Sequence, residues 1–498
     1  MRLLQLKVQI SLKTPLIKDT LNLSEIKALT RDAQAPVAGI IRFLGGRKVS
    51  SALRALRALK TQGYAAHELL TLMILRPLLG VFSIHSFLES SLASLSLARK
   101  DAFYRLCNNS MVDWRKLHFG FVKQFLAQGG NAPAAGTPGH KPRCWVVDDT
   151  IGEKTGLTIE GVGKLFDHTS GGYVLGLKYL FLAFWDGASL IPADFSIHRE
   201  RGKKKDKPFG LRMKDYARRF VTLRPDKSPV QSRLAELDTD KIAGTIKMLK
   251  RAAKNGIAAD YLLVDSWFVC DDLIKFVAES KQIGHLVGQC KNDKRKYLYQ
   301  GREYSGEALK KKLLTKWKRC RTLRMDYLQV NVAYKGTALR LFFTRRHGSI
   351  NERLLVTTDL GLSFTKAFEI YAIRWTIEVY FKDSKQLLGL GDCRSTNFAA
   401  QIAAATMCMM QYVALAHQKR IGSYKTIGGL FRECTQQAVQ ALLSERILAI
   451  ILQLLHRLAA HLKIDLDDTM EAIFADDTFG HWMITSLTAH QAPLDQAA

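Results

Sequence analysis

From Cys144 to Gln289 the chain alternates short apolar runs with helix-period segments, and this alternation limits its fold more than any other feature. Cys144–Val147 (Cys-Trp-Val-Val) leads into Asp148-Asp149-Thr150, and Tyr173–Trp185 and Ser189–Ile197 are apolar and rich in aromatics. All three read as strands. Thr239–Asn255 has helical spacing and is closed by Gly256. Tyr261–Val264 (Tyr-Leu-Leu-Val) is a further strand ending in Asp265; Asp271 or Asp272 then caps a helix, and His285–Gln289 is one more strand. Three strands, a helix, a strand, a helix and a strand predict an α/β fold with a mixed sheet flanked by helices.

The segments on either side differ. Residues 1–140 carry helix-period apolar spacing and few strand signals. Within them Arg47–Lys60 sets Arg54, Arg57 and Lys60 beside Leu53, Leu56 and Leu59, a basic amphipathic helix that either docks on DNA or packs with a wet face. Asn131–Pro142 reads as a linker. After the core segment 141–290, residues 291–353 are basic and strand-like, with Tyr327–Tyr334 and Thr337–Thr344 forming a hairpin around Lys335-Gly336. Residues 354–398 return to the sheet with Leu354–Thr358 and continue as one long helix, Ser363–Leu388, ended by Gly389. Residues 399–498 read as helical. At 498 residues the chain is too long for a single core.

Charge narrows the choice of partner. Lys and Arg number 74 against 45 Asp and Glu, a net charge of +29. A chain so basic repels itself unless a polyanion neutralises it, and nucleic acid is the natural polyanion. Lys310–Arg324 packs eight cations around Trp317 in fifteen residues, and Arg201–Lys207 is a second basic run. Trp317 suits either a core position or stacking on an unpaired base. The eight cysteines are scattered with no zinc-finger spacing, which predicts reduced thiols in a cytoplasmic, nucleoid-associated setting. The N-terminus lacks a continuous signal-peptide core, and the most apolar stretch, Leu69–Phe87, is interrupted by Arg76 and Pro77, so no membrane span is expected.

Carboxylates at strand ends bring in chemistry. Asp149 and Asp265 each follow a short apolar strand, where open α/β sheets place their ligand sites. An Asp that merely begins a turn is the competing reading for either residue alone. The long helix adds Tyr371, Arg374, Glu378 and Lys385, which at about 100° per residue share a stripe roughly 60° wide, with Asp383 opposite Arg374. A carboxylate on that stripe can bind metal while Arg and Lys grip phosphates; alternatively Arg374–Glu378 is a surface i,i+4 pair.

The spacing Tyr371-x2-Arg374-x3-Glu378-x6-Lys385 resembles the signature of DDE transposases from a large group of bacterial cut-and-paste insertion sequences. The resemblance covers about residues 141–395. It implies a ribonuclease H-like core interrupted by a β-rich insertion, and a catalytic triad of Asp149, Asp265 and Glu378 holding two Mg2+ ions, with Mn2+ as a substitute. Asp149 is chosen over the adjacent Asp148 because Thr150 follows it directly, as Thr follows the ligand in similar proteins. The resemblance also implies DNA contacts from Tyr371, Arg374 and Lys385, and from Trp317, Lys310, Lys311 and Lys312 in the insertion. The partners it implies are double-stranded transposon ends and target DNA, brought together by a homodimer. A ribonuclease H-like nuclease that only hydrolyses, or a non-catalytic DNA-binding descendant of a transposase, are the alternatives. The chain has no G-x-x-x-x-G-K-[ST] phosphate loop and no G-x-S-x-G elbow, which argues against a nucleotide-driven helicase or a serine hydrolase.

Overall fold

The alternation of strand and helix folds into one twelve-stranded mixed sheet. The computed structural model describes residues 17–18, 36–56, 63–128 except 91, 94 and 95, and 141–437 except 203, 281, 292 and 423, with 451 and 461. Contacts divide the chain into Ile17–Gln436 and a second unit, Met1–Leu16 with Gln437–Ala498, which lies almost wholly outside the described residues.

The strands are β1 (Cys144–Glu153), β2 (Gly163–Asp167), β3 (Gly172–Trp185), β4 (Leu190–His198), β5 (Tyr261–Val264) and β6 (His285–Cys290). They continue as β7 (Lys296–Tyr299), β8 (Arg302–Ser305), β9 (Lys318–Cys320), β10 (Met325–Tyr334), β11 (Thr337–Arg346) and β12 (Glu352–Thr357). Their order is β8-β7-β10-β11-β12-β6-β5-β1-β3-β2, with β4 beside β3 and β9 beside β10. Only β1–β5 and β5–β6 pair in parallel within this sheet. The large mixed sheet with its helices is consistent with a ribonuclease H-like nuclease fold.

The basic segment after β6 does not leave the sheet. β12 pairs with β6 on one edge and with β11 on the other, so the added strands extend the core sheet. The β10–β11 hairpin turns at Lys335-Gly336, both with positive φ (45° and 83°), the geometry of a two-residue type I′ turn.

Helices cover the sheet. α1 (Pro36–Leu44), α2 (Arg47–Arg54), α3 (Ala66–Leu75), α4 (Ile84–Glu89), α5 (Lys100–Asn108) and α6 (Trp114–Gln128) precede it. Of the amphipathic stretch Arg47–Lys60, Val49, Leu53 and Leu56 are buried, whereas residues 57–60 lie outside the described residues, as does most of the linker. α7 (Met213–Ala217), α8 (Pro229–Leu234), α9 (Lys241–Lys254), α10 (Asp271–Glu279) and α11 (Gly306–Lys312) lie between strands. Cys270, rather than Asp271 or Asp272, occupies the N-cap of α10, with both aspartates in its first turn.

The single helix expected over Ser363–Leu388 is two helices. α12 (Phe364–Ala372) and α13 (Thr376–Leu387) are separated by a 3₁₀ turn, Ile373–Trp375. The Thr376 hydroxyl donates to the Ile373 carbonyl at 2.7 Å, a back-bond of the kind that tightens and bends a helix. Gly389, at φ 70°, supplies the left-handed residue just past the end.

α14 (Phe398–Ile421), and not the stretch Leu69–Phe87, is the long apolar helix of the described chain. Among the described residues it is the one helix long and apolar enough to cross a membrane, yet 89% of its apolar window is buried inside the protein. It contacts α1, α3, α5, α6 and β4, so the helices before and after the sheet share one core. A buried network ties them to the sheet: Asp194 of β4 accepts from Arg115 of α6 at 2.8 Å and from Arg251 of α9 at 2.7 Å, and Arg115 also pairs with Glu236 at 3.0 Å.

Candidate active site

β1 carries the two adjacent aspartates within the strand, not at its end, because it pairs with β3 along its whole length from Cys144 to Glu153. Its parallel partner β5 stops short, pairing only with Cys144–Val146. Both aspartates therefore lie beyond the carboxyl end of β5, and Asp265 follows β5 at the same end of the sheet. Successive side chains on a strand point to opposite faces, so Asp148 and Asp149 cannot serve the same site.

Cross-strand partners identify the faces. Asp148 lies opposite Phe181 of β3, whose ring meets Tyr380 and Phe381 of α13 at 5.4 and 5.6 Å between centroids. The buried stripe Ile377, Tyr380, Phe381 and Ser384 lays α13 on this face and leaves Glu378 at its edge. Arg374, in the 3₁₀ turn, then reaches two carboxylates at once. Its Nη1 donates to Asp148 Oδ2 at 2.8 Å and its Nη2 to Glu378 Oε1 at 2.8 Å. The Arg374 side chain is only 11% exposed.

Asp265 completes the group. Its Oδ1 accepts from the backbone N–H of Trp267 at 2.9 Å and of Phe268 at 3.3 Å, an Asx turn that holds the carboxylate after β5. Its charge acts on both Asp148 and Tyr371. Burial pushes the Asp148 carboxyl up to about 7, with Asp265 and Asp149 adding to the rise, while Arg374 and the Asp149 N–H pull it back. Burial likewise raises the Tyr371 phenol, which Arg374 opposes by charge and hydrogen bonding.

Asp149 lies on the other face. It sits opposite Leu180, which touches α9 where Gly244 permits close approach: a Cβ there would meet Leu180 Cδ2 at 3.4 Å and the His198 ring at 3.0 Å. Lys241, in the first turn of α9, donates to Asp149 Oδ1 at 3.1 Å, and Lys178 Nζ lies 4.0 Å from its Oδ2. Lys241 Nζ also stands 3.8 Å from the centroid of the half-exposed Trp267 ring. Of the residues expected from the sequence, Asp265, Glu378, Tyr371 and Arg374 come together with Asp148, whereas Asp149 does not join them.

The remaining expected residues are dispersed. Lys385 lies two turns beyond Glu378 and is exposed; partial desolvation lowers its pKa, and the charges of Glu153 and Asp167 counter this. Trp317 is partly exposed, not a core residue, with the Arg345 guanidinium 4.4 Å from its ring. Lys310 pairs with Glu352 at 2.6 Å and Glu307 at 2.9 Å, and Lys312 donates to the Tyr304 hydroxyl at 2.8 Å, while Lys311 is exposed. Lys241 and Trp267 are not among the residues expected from the sequence; Trp267 stands two residues after Asp265, whereas nothing local points to Lys241.

Asp148, Asp265 and Glu378 are hard oxygen donors of the kind magnesium requires, so the donor set fits a divalent ion. Among the described residues, no group of three or more His, Cys, Asp or Glu forms a ready-made metal cage. The guanidinium of Arg374 instead bridges Asp148 and Glu378.

Comparison with known proteins gives two family matches. The Transposase DDE domain family matches residues 228–414, which include Asp265 and Glu378. The DDE superfamily endonuclease family matches residues 64–298, which include Asp148 and Asp265. Both support a DDE transposase. No curated protein matches the chain. Among solved structures, the chain is similar to a piggyBac transposase in a cryo-EM synaptic complex with hairpin DNA, at 12% identity and a TM-score of 0.40, covering 84% of this chain and 83% of that one.

Proposed function

We propose that this chain is a DDE transposase that cuts DNA at the ends of a mobile element and joins them to target DNA, with Asp148, Asp265 and Glu378 as its metal-binding carboxylates. The observation that carries the reading is the Arg374 bridge between Asp148 and Glu378, with Asp265 alongside. Carboxylates from β1 and α13 meet through Arg374 at the carboxyl end of the parallel strands, where this class of sheet binds its ligands, and Asp265 at the end of β5 acts on Asp148 by its charge. Asp148 replaces Asp149 because it shares a face with Glu378.

Two Mg2+ ions, or Mn2+ in their place, would be held by these residues, supplying an activated nucleophile and neutralising charge on the phosphate. The chain's own groups do the rest. The Asx turn keeps the Asp265 carboxylate fixed, α13 sets the depth of Glu378, and Arg374 offers a planar guanidinium suited to a phosphate. Tyr371, packed beside Arg374, orients it. Lys385 and the basic strands near Trp317 hold DNA further from the reacting bond. Hydrolysis at each element end frees a 3′-hydroxyl, which attacks the opposite strand or the target. Synapsis of two ends requires a homodimer, acting at the nucleoid.

The test incubates the purified chain with a plasmid carrying the DNA that flanks its gene, with and without Mg2+. Metal-dependent cleavage at the element ends followed by strand transfer is expected. Cleavage without joining would instead support a hydrolytic nuclease. No metal-dependent nicking would reduce the chain to a DNA-binding protein.

A further inference from the structure

The Arg374 contacts have a second consequence. One guanidinium spans Asp148 and Glu378 at 2.8 Å each, almost shielded from water. Its remaining neighbours, Tyr371 and Trp375, are aromatic, with centroids 6.0 and 5.5 Å away. The guanidinium carbon thus stands between two of the three carboxylates assigned to the metal, and supplies the positive charge that a cation would bring.

We propose that Arg374 is a resident counter-ion that competes with the divalent cation for Asp148 and Glu378. A carboxylate oxygen held by a buried guanidinium at hydrogen-bonding distance gives up a charge-assisted bond when it turns to a metal. The free protein therefore binds metal weakly. Release of the guanidinium towards an anionic group such as a phosphate strengthens binding, because Arg suits that partner equally well. The same residue then serves two states: closing the carboxylate pair when the site is idle and gripping the phosphate when it is occupied. The proposal rests on the assignment of Asp148 and Glu378 as ligands.

The test measures Mn2+ binding to the full-length protein without DNA, by electron paramagnetic resonance of the free ion, so the readout is independent of cleavage. Arg374→Gln, which keeps much of the side chain and removes its charge, should bind Mn2+ about ten-fold more tightly than wild type or better, the scale of one lost competing charge contact. Arg374→Lys keeps the charge and should stay near wild type. Arg374→Met serves as the uncharged variant if the glutamine variant does not fold. Equal or weaker Mn2+ binding in the uncharged variant overturns the competition, as does equal tightening by Arg374→Lys. Adding Asp148→Asn to the uncharged variant should abolish the gain. Tight binding that ignores Asp148→Asn would overturn the ligand assignment itself and not merely the competition.

Discussion

The two faces of β1 carry the same side chain one residue apart and set it among different charges. On the Asp149 face the charges balance: Asp149 and Glu200 stand against Lys178 and Lys241. On the Asp148 face Asp148 and Glu378 share one guanidinium, that of Arg374, and the charge of Asp265 adds to theirs. Where carboxylates and cations are matched in number, each buried charge is compensated in place. A cluster with more carboxylates than cations is costly to assemble and draws in further positive charge, which a divalent ion supplies. The difference separates a candidate ligand from a neighbour of identical chemistry, and it depends on which helix each face meets.

The strongest way to break this comparison is to exchange the two aspartates. Asp148→Asn should lower single-turnover cleavage by about a thousand-fold or more, in line with the loss of a group that acts on the transition state. Asp265→Asn and Glu378→Gln should fall in the same range, with DNA binding largely kept because it is spread over many cations. Asp149→Asn should stay within about ten-fold of wild type, since it removes a contact to Lys241 and not a ligand. The reverse ranking would move the site to the other face of the strand.

A smaller effect sharpens the electrostatic half of the comparison. In the metal-free protein, burial holds the Asp148 carboxyl near 7, above its ordinary 3.8. The folded state then binds more protons than the unfolded one between those values, so this group's contribution turns against folding as pH rises through them. Melting curves of wild type and Asp148→Asn should therefore separate in favour of the variant between about pH 4 and pH 7. A gap independent of pH would show that Asp148 does not titrate in this window.

Much of this arrangement is legible in the chain. Tyr261–Val264 is a strand as read, and the Asp265 turn follows it, because a short apolar run bounded by turn formers leaves few alternatives. The choice between Asp148 and Asp149 is not legible. A shift of one residue reverses every side chain on a strand, and the faces of β1 are assigned only by its register with β3. Ending the strand at Val147 hid that register. The 3₁₀ turn escaped because it depends on one hydroxyl, that of Thr376, bonding back along the chain. Lys241 lies 92 residues from Asp149, and no local pattern joins them. α14 is apolar on all sides because it fills a core built from both ends of the described chain, which periodicity alone does not distinguish from a membrane span.

The smallest effect applies the same distinction, between cations already paired and cations free to meet DNA, to the basic strands. Lys310, Lys311 and Lys312 are consecutive in α11, but Lys310 is held by Glu307 and Glu352, and Lys312 by the Tyr304 hydroxyl. Lys311 and Lys312 are both exposed, but with Lys312 held by Tyr304, only Lys311 of the three is both exposed and unpaired among the described residues. If all three bound phosphates, neutralising them together would lower the salt slope of DNA binding by nearly three, since each released phosphate contact is worth about 0.9 in log–log terms. With two of them engaged, the triple substitution should lower it by about one, and Lys311→Ala alone should account for nearly all of that. Lys310→Ala should leave the slope almost unchanged and instead lower thermal stability slightly, because Glu352 loses its nearest cation, a partly exposed pair worth under about 1 kcal/mol. Measuring binding to one duplex across a salt series, beside melting curves for each variant, separates these cases. A full three-contact drop in the triple variant would mean that DNA pulls Lys310 and Lys312 from their partners, and that paired cations here are as available as free ones. An unchanged slope in every variant would remove α11 from the DNA surface altogether.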